Sequence, residues 1–206
     1  MSGEVAGLEK GYAKLVDEEQ NRLDSVAVEH GRFVLKGRVD LPKFVYMFVV
    51  RHDGGNCIFS KILLENKDIT MRGDANDRSC EYSGATLHGE YMDYVKYLLQ
   101  IPYQLKVQQL YNELSEADAN GEQQRKSAIE EELSVMRDSV ISVLMRYRPD
   151  AARSQAAAAL VYDQVSIHGM EEKVFAVSKF DKDFTGSYYL NKLREEIAAG
   201  KSDGRR

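Results

Sequence analysis

Residues Arg22 to Pro42, RLDSVAVEHGRFVLKGRVDLP, read as a β-hairpin. In its second half Phe33, Leu35 and Val39 fall on one face, while Arg32, Val34, Lys36, Arg38 and Asp40 fall on the other. That period of two marks a strand with one buried face. The turn is Glu29-His30-Gly31-Arg32, with Gly31 where a two-residue hairpin needs positive φ. Pro42 is expected to end the ladder, because it brings no N–H.

Short strands continue on both sides. Glu4 to Leu8 and Gly11 to Val16 precede the hairpin, with the polar loop Asp17 to Asn21 between. Phe44 to Val50 follows it and is apolar at every position, as expected of a central strand covered on both faces. His52 to Asn56 is a turn, Cys57 to Leu64 and Asp68 to Gly73 are further strands, and Ser79 to Ser83 is the last. About eight short strands at this spacing predict an antiparallel β-sandwich or open barrel over residues 1–85.

From Thr86, read as an N-cap, the period becomes helical: Leu87, Tyr91, Tyr94, Val95, Leu98, Ile101, Leu105. Pro102 should kink or split this helix near Gln100. Asn120-Gly121 is a stop, and a second helix runs from Glu122 to Arg148 on the stripe Ile129, Leu133, Met136, Val140, Leu144, Tyr147. Asp150 is read as the cap of a helix containing Ala156 to Ala159, closed by Gly169; Glu171 to Phe180 is another, and Ser187 caps a last one ending near Gly200. The prediction is therefore α+β: a β domain over 1–85, an antiparallel helical domain over 86–200, and a disordered tail over 201–206.

A net charge of −5 argues against nonspecific nucleic-acid binding, which needs a basic surface. No stretch reaches the roughly 18 apolar residues of a membrane span. Met1-Ser2-Gly3 leads directly into strand-like sequence without a secretory leader, so a cytosolic chain and a trimmed exported chain read alike. Two cysteines, Cys57 and Cys80, make no CxxC pair. One bridge between them would need an oxidising compartment that holds them close; as small half-buried hydrophobes they need none.

No reactive constellation emerges. His30, His52, His88 and His168 lack metal-ligand spacing, so no metal or other cofactor is expected. Gly54-Gly55 precedes a strand instead of opening a helix, which makes it a turn and not a phosphate loop. Glu130-Glu131-Glu132 reads as a solvated helix face. Tyr91, Tyr94, Tyr97 and Tyr103 admit two readings: cover for neighbouring elements, or a partner-binding surface. Catalytic, cofactor and metal residues are thus assigned to none.

Leu23-Asp24-Ser25-Val26-Ala27-Val28, Gly31-Arg32-Phe33 and Lys36-Gly37-Arg38-Val39, followed by Leu64-Glu65-Asn66-Lys67-Asp68-Ile69-Thr70 and Tyr82-Ser83-Gly84, carry a resemblance. They resemble an N-terminal domain of unknown function that precedes thioredoxin-like modules of the peroxiredoxin type in bacterial envelope thiol-disulfide oxidoreductases. Lys67 stands where that family usually has glycine. The resemblance implies a non-catalytic accessory region whose partner is a downstream thioredoxin-like domain carrying the Cys-x-x-Cys pair, absent from this chain. It implies export to the cell envelope or periplasm, membrane attachment only through a lipid anchor outside this chain, and a role in positioning, dimerising or supplying protein clients. The alternative is a stand-alone envelope module binding a peptide or glycan.

Overall fold

A computed structural model describes residues 1–99, 103–166 and 168–203. The chain divides into two compact units, Met1–Glu90 and Tyr91–Arg206. In the first, eight strands form one sheet: β1 Ser2–Ala6, β2 Lys10–Asp17, β3 Arg22–Glu29, β4 Arg32–Val34, β5 Lys43–Arg51, β6 Asn56–Leu64, β7 Thr70–Asp74 and β8 Ser79–Ser83. Their order is β6-β5-β2-β3-β4-β1-β7-β8. The two ends of that order meet. Tyr82 on β8 donates its hydroxyl to Ser60 Oγ on β6 at 3.0 Å, and a Cβ built on Gly73 of β7 would lie 2.4 Å from Ile58 Cδ1 of β6. Burial, and then the neighbouring Cys80, raises the Tyr82 phenol pKa, which keeps it a donor. The result is a nearly closed barrel whose seam carries side-chain contacts.

The open barrel and α+β class expected from the sequence are thus found, with one refinement. β1 runs parallel to β7, from Ser2↔Thr70 to Ala6↔Asp74, so the sheet is mixed. Val5, Leu15, Phe33, Met47, Ile62 and Met71 fill the interior. β5 alternates as a strand should, with Val45, Met47 and Val49 buried. Its outer side chains depart from the expected double cover, because Tyr46 and Phe48 are only half-buried.

The hairpin turn forms as read, with His30 at φ 50° and Gly31 at φ 72°, the pair of positive values that a type I′ turn requires. Phe33, Leu35 and Val39 are buried. The ladder, however, ends at Val34, well before Pro42. Among the described residues Glu29↔Arg32 is the only rung between β3 and β4. β4 turns instead to β1, through Gly3↔Phe33 and Ser2↔Val34. Continuing the hairpin register would set Ser25 opposite Lys36. The Asp24 carboxylate stands between them, accepting the Ser25 amide at 2.8 Å and the Lys36 amide at 2.8 Å. A side chain has replaced a rung.

The second unit is helical, and its first helix begins in the preceding unit: α1 Thr86–Leu99, α2 Tyr103–Ala119, α3 Gln123–Tyr147, a 3-10 turn Pro149–Arg153, α4 Gln155–Val165, α5 Met170–Ser178 and α6 Tyr188–Asp203. The split expected at Pro102 falls on residues 100–102, outside those described. Leu110, Ala117, Ile129 and Leu133 lock α2 to α3, and Gly121 at φ 69° ends α2 as read. The α4 cap is Ser154, which accepts the Ala157 amide at 3.0 Å. Asp150 instead pairs with Arg148 at 3.1 Å within the 3-10 turn. Gly169 is the residue before α5 and not the end of α4. Ser187 caps α6, accepting the Leu190 amide at 3.3 Å. Lys201 to Asp203, expected in the tail, continue that helix.

Gly31 carries two constraints at once, because a Cβ there would lie 2.5 Å from the Val5 carbonyl oxygen. Gly31→Val should cost more than about 2 kcal/mol, the left-handed penalty plus the clash; urea denaturation checks it.

Candidate functional site

The chemistry of the β unit gathers where Leu64–Asp68 crosses from β6, at one end of the sheet order, to β7, next to the other end. Glu65 is buried. One of its oxygens accepts the Leu87 amide at 2.7 Å, the other lies 3.3 Å from Lys67 Nζ. The first turn of α1 is therefore bonded by a carboxylate from far back in the chain, while the hydroxyl of Thr86 meets Lys67 Nζ at 2.9 Å. Asn66 pairs with the Val39 backbone as another strand would. Its oxygen accepts the Val39 amide at 3.0 Å and its amide donates to the Val39 carbonyl at 2.6 Å.

Above this crossing a groove of about 820 Å³ opens between β3 and residues 34–39. Leu15, Leu35 and Val39 are among its apolar lining, and Lys36, Arg38, Lys67, Asp24, Glu65 and Asp68 line it as well. It contains no nucleophile with a base beside it. Among the described residues no group of three or more His, Cys, Asp or Glu side chains could hold a metal.

The histidines do separate work. His30 lies 2.5 Å from Glu9 on the surface, and His52 stacks on Tyr12 with centroids 6.5 Å apart. His88 Nδ1 accepts the Leu63 amide at 3.4 Å, and its ring meets Tyr82 edge-on. Burial lowers the His88 pKa, consistent with a neutral ring that keeps a lone pair on Nδ1.

The outward face of β2, β5 and β6 is the second feature. Cross-strand register sets Lys14 beside Phe48 and Phe48 beside Phe59. Phe59 is 59% exposed and Tyr12 52%. Phe59 packs on Phe48 at 4.9 Å and stacks on Tyr46 at 5.8 Å and 8°. Lys14 Nζ lies 4.7 Å from the Phe48 centroid, and Lys61 Nζ 3.8 Å from that of Phe44, both within cation–π range. Sequence reading missed this face, since Tyr12, Phe48 and Phe59 become neighbours only through the strand register.

The residues singled out beforehand lie elsewhere. Tyr94 is fully buried beneath the Arg148 guanidinium, 5.0 Å from its ring. Tyr91 donates to Asp163 at 3.1 Å, burial and then Asp163 raising its pKa, and Tyr97 is half-buried. The Tyr103 side chain falls outside the described residues. These tyrosines thus occupy different surroundings in the helical unit. Both cysteines are free thiols. Cys57 is buried and donates to the Val49 carbonyl at 3.2 Å, and Cys80 sits half-buried on β8.

Fold and site together define an α+β chain whose β unit is a nearly closed barrel with no catalytic signature. Residues 1–91 match the family model of a domain of unknown function, DUF4369. No curated protein and no solved structure gives a match.

Two outcomes follow from the crossing. Asn66→Ala should lose about 1–3 kcal/mol, the scale of an unpaired backbone group. Asn66→Asp should lose at least as much at pH 7, because a carboxylate would face the Val39 carbonyl. Urea midpoints and amide exchange at Val39 check both. For His88 the folded pKa lies below the unfolded value, so the unfolded chain binds more protons between them. This contribution is complete above about pH 6.5 and is lost as pH falls toward the folded pKa. His88→Gln should flatten the decline in urea midpoint between about pH 7.5 and 5.5.

Proposed function

We propose that this chain is a non-catalytic accessory region that accompanies a thioredoxin-like thiol-disulfide module in the cell envelope and brings protein clients to it. The observation that carries this reading is the match of residues 1–91 to the domain of unknown function, on a chain whose two cysteines are not spaced as CxxC. The resemblance of Leu23–Val28 and Leu64–Thr70 to the envelope family supports the redox association. Cys57 Sγ is enclosed and bonded to a carbonyl, an environment suited to an inert thiol rather than an attacking thiolate.

A second reading, a stand-alone peptide- or glycan-binding module, is favoured by the exposed rings of Tyr12 and Phe59 on the sheet. Both readings make binding the activity of the chain.

Insulin reduction with dithiothreitol as electron donor tests the first. The chain should give no turnover above the uncatalysed rate, and a Cys57→Ser, Cys80→Ser variant should behave identically. Robust turnover abolished by that variant would overturn the non-catalytic reading. A reading frame or gene neighbourhood lacking any CxxC module would overturn the redox association.

A further inference from the structure

We propose that the groove between α5 and α6 binds a medium-chain aliphatic carboxylate, with its alkyl chain on apolar side chains and its head group on Lys182 and Arg194. The site lies wholly in the helical unit and is independent of the client-binding role proposed above. Two observations carry it: the make-up of the lining and the pairing of the charges around it.

Val174 and Val177 lie a turn apart on α5, and Arg194 and Ile197 a turn apart on α6, so each helix gives one side to the groove. The loop between the helices adds Phe180 and Lys182. The cavity is about 420 Å³, within the range of small-molecule sites. Phe180 is buried and Val174 is 43% exposed, so the apolar lining runs from the core out to solvent. Two cations line it as well, and among the described residues no carboxylate does.

The acids next to these residues in sequence are committed elsewhere or stand clear. Asp181 and Asp183, on either side of Lys182, both pair with Arg153, Asp183 at 3.7 Å. Glu196 pairs with Lys173 at 2.7 Å, while Glu171 and Glu195 are exposed and outside the lining. Lys182 has no ion-pair partner among the described residues. Arg194 is half-buried and donates to carbonyls alone, Phe184 at 2.8 Å, Asp181 at 3.4 Å and Lys182 at 3.5 Å. Those bonds fix the guanidinium without neutralising it and leave it further N–H donors. A ligand carboxylate supplies the counter-charge that both cations lack, and an alkyl chain covers the valines, Phe180 and Ile197. A peptide or sugar would instead set amides or hydroxyls against apolar side chains that offer them no partner.

Isothermal titration calorimetry on the full chain tests this, with octanoate as the probe and octanol and acetate as comparators. Octanoate should bind one per chain, and octanol and acetate at least about tenfold more weakly, which is about 1.4 kcal/mol. Lys182→Glu and Val174→Asp should each weaken octanoate about fivefold or more. Both side chains are exposed, so circular dichroism and the urea midpoint should not change. Phe59→Ser, on the exposed sheet face of the other unit, should leave the affinity as it was. Octanol or acetate matching octanoate, wild-type affinity in either groove variant, loss of binding in Phe59→Ser, or no octanoate binding would overturn the proposal. Insulin turnover, in contrast, reports on the non-catalytic reading alone, so the two failures are distinguishable.

Discussion

The β unit depends on how its backbone polar groups are satisfied where the sheet stops being a sheet. A barrel short of full closure leaves strand edges, and buried N–H and C=O groups need partners there. This chain supplies them from three side chains. Asn66 stands in for a strand against Val39, Asp24 bonds both amides that a rung would have paired, and Glu65 bonds an amide of the first turn of the following helix. Each replaces a ladder or helix bond with a fixed polar contact, so residues 35–42 and the entry to α1 are positioned without extending the sheet.

This gives physical meaning to the segments that carry the family resemblance. Asp24 lies in the Leu23–Val28 segment and Glu65 with Asn66 in Leu64–Thr70. Their residue types follow from geometry: a short carboxylate spans a missing rung, a longer one reaches a helix start, and a carboxamide both donates and accepts. Lys67, where the related pattern has glycine, lies between Glu65 and Thr86. A domain match at this site speaks to architecture.

Much of the fold was legible because local signals act alone. The positive-φ turn at His30-Gly31, the alternation through Val39, the Asn120-Gly121 stop and the Ser187 cap need no knowledge of distant neighbours. What failed was decided at long range. Pro42 carries a real breaker signal, yet the ladder had already ended because β1 takes β4 away from β3. The parallel β1–β7 pair leaves no mark in either strand. Asp150 carries a real cap signal, yet the 3-10 turn intervenes and places Ser154 next to α4 as its cap. Tyr94 admits both a covering and a surface reading until the helices are packed, and the packing buries it. The outer aromatic face was illegible for the same reason, since its members come from three separate strands.

The placing of β1 also bears on how the chain acquires its shape. β1 sits between β4 and β7, and β7 begins at Thr70. During synthesis the first strand therefore waits with one flank unclaimed until β7 has been made. A parallel partner so distant in sequence is reached late, because loop closure precedes any gain from the contact. The amides and carbonyls of Ser2–Ala6 on that flank stay open to other chains in the interval. The barrel's connectivity thus leaves one flank of β1 open to mispairing until residues up to Asp74 have been made.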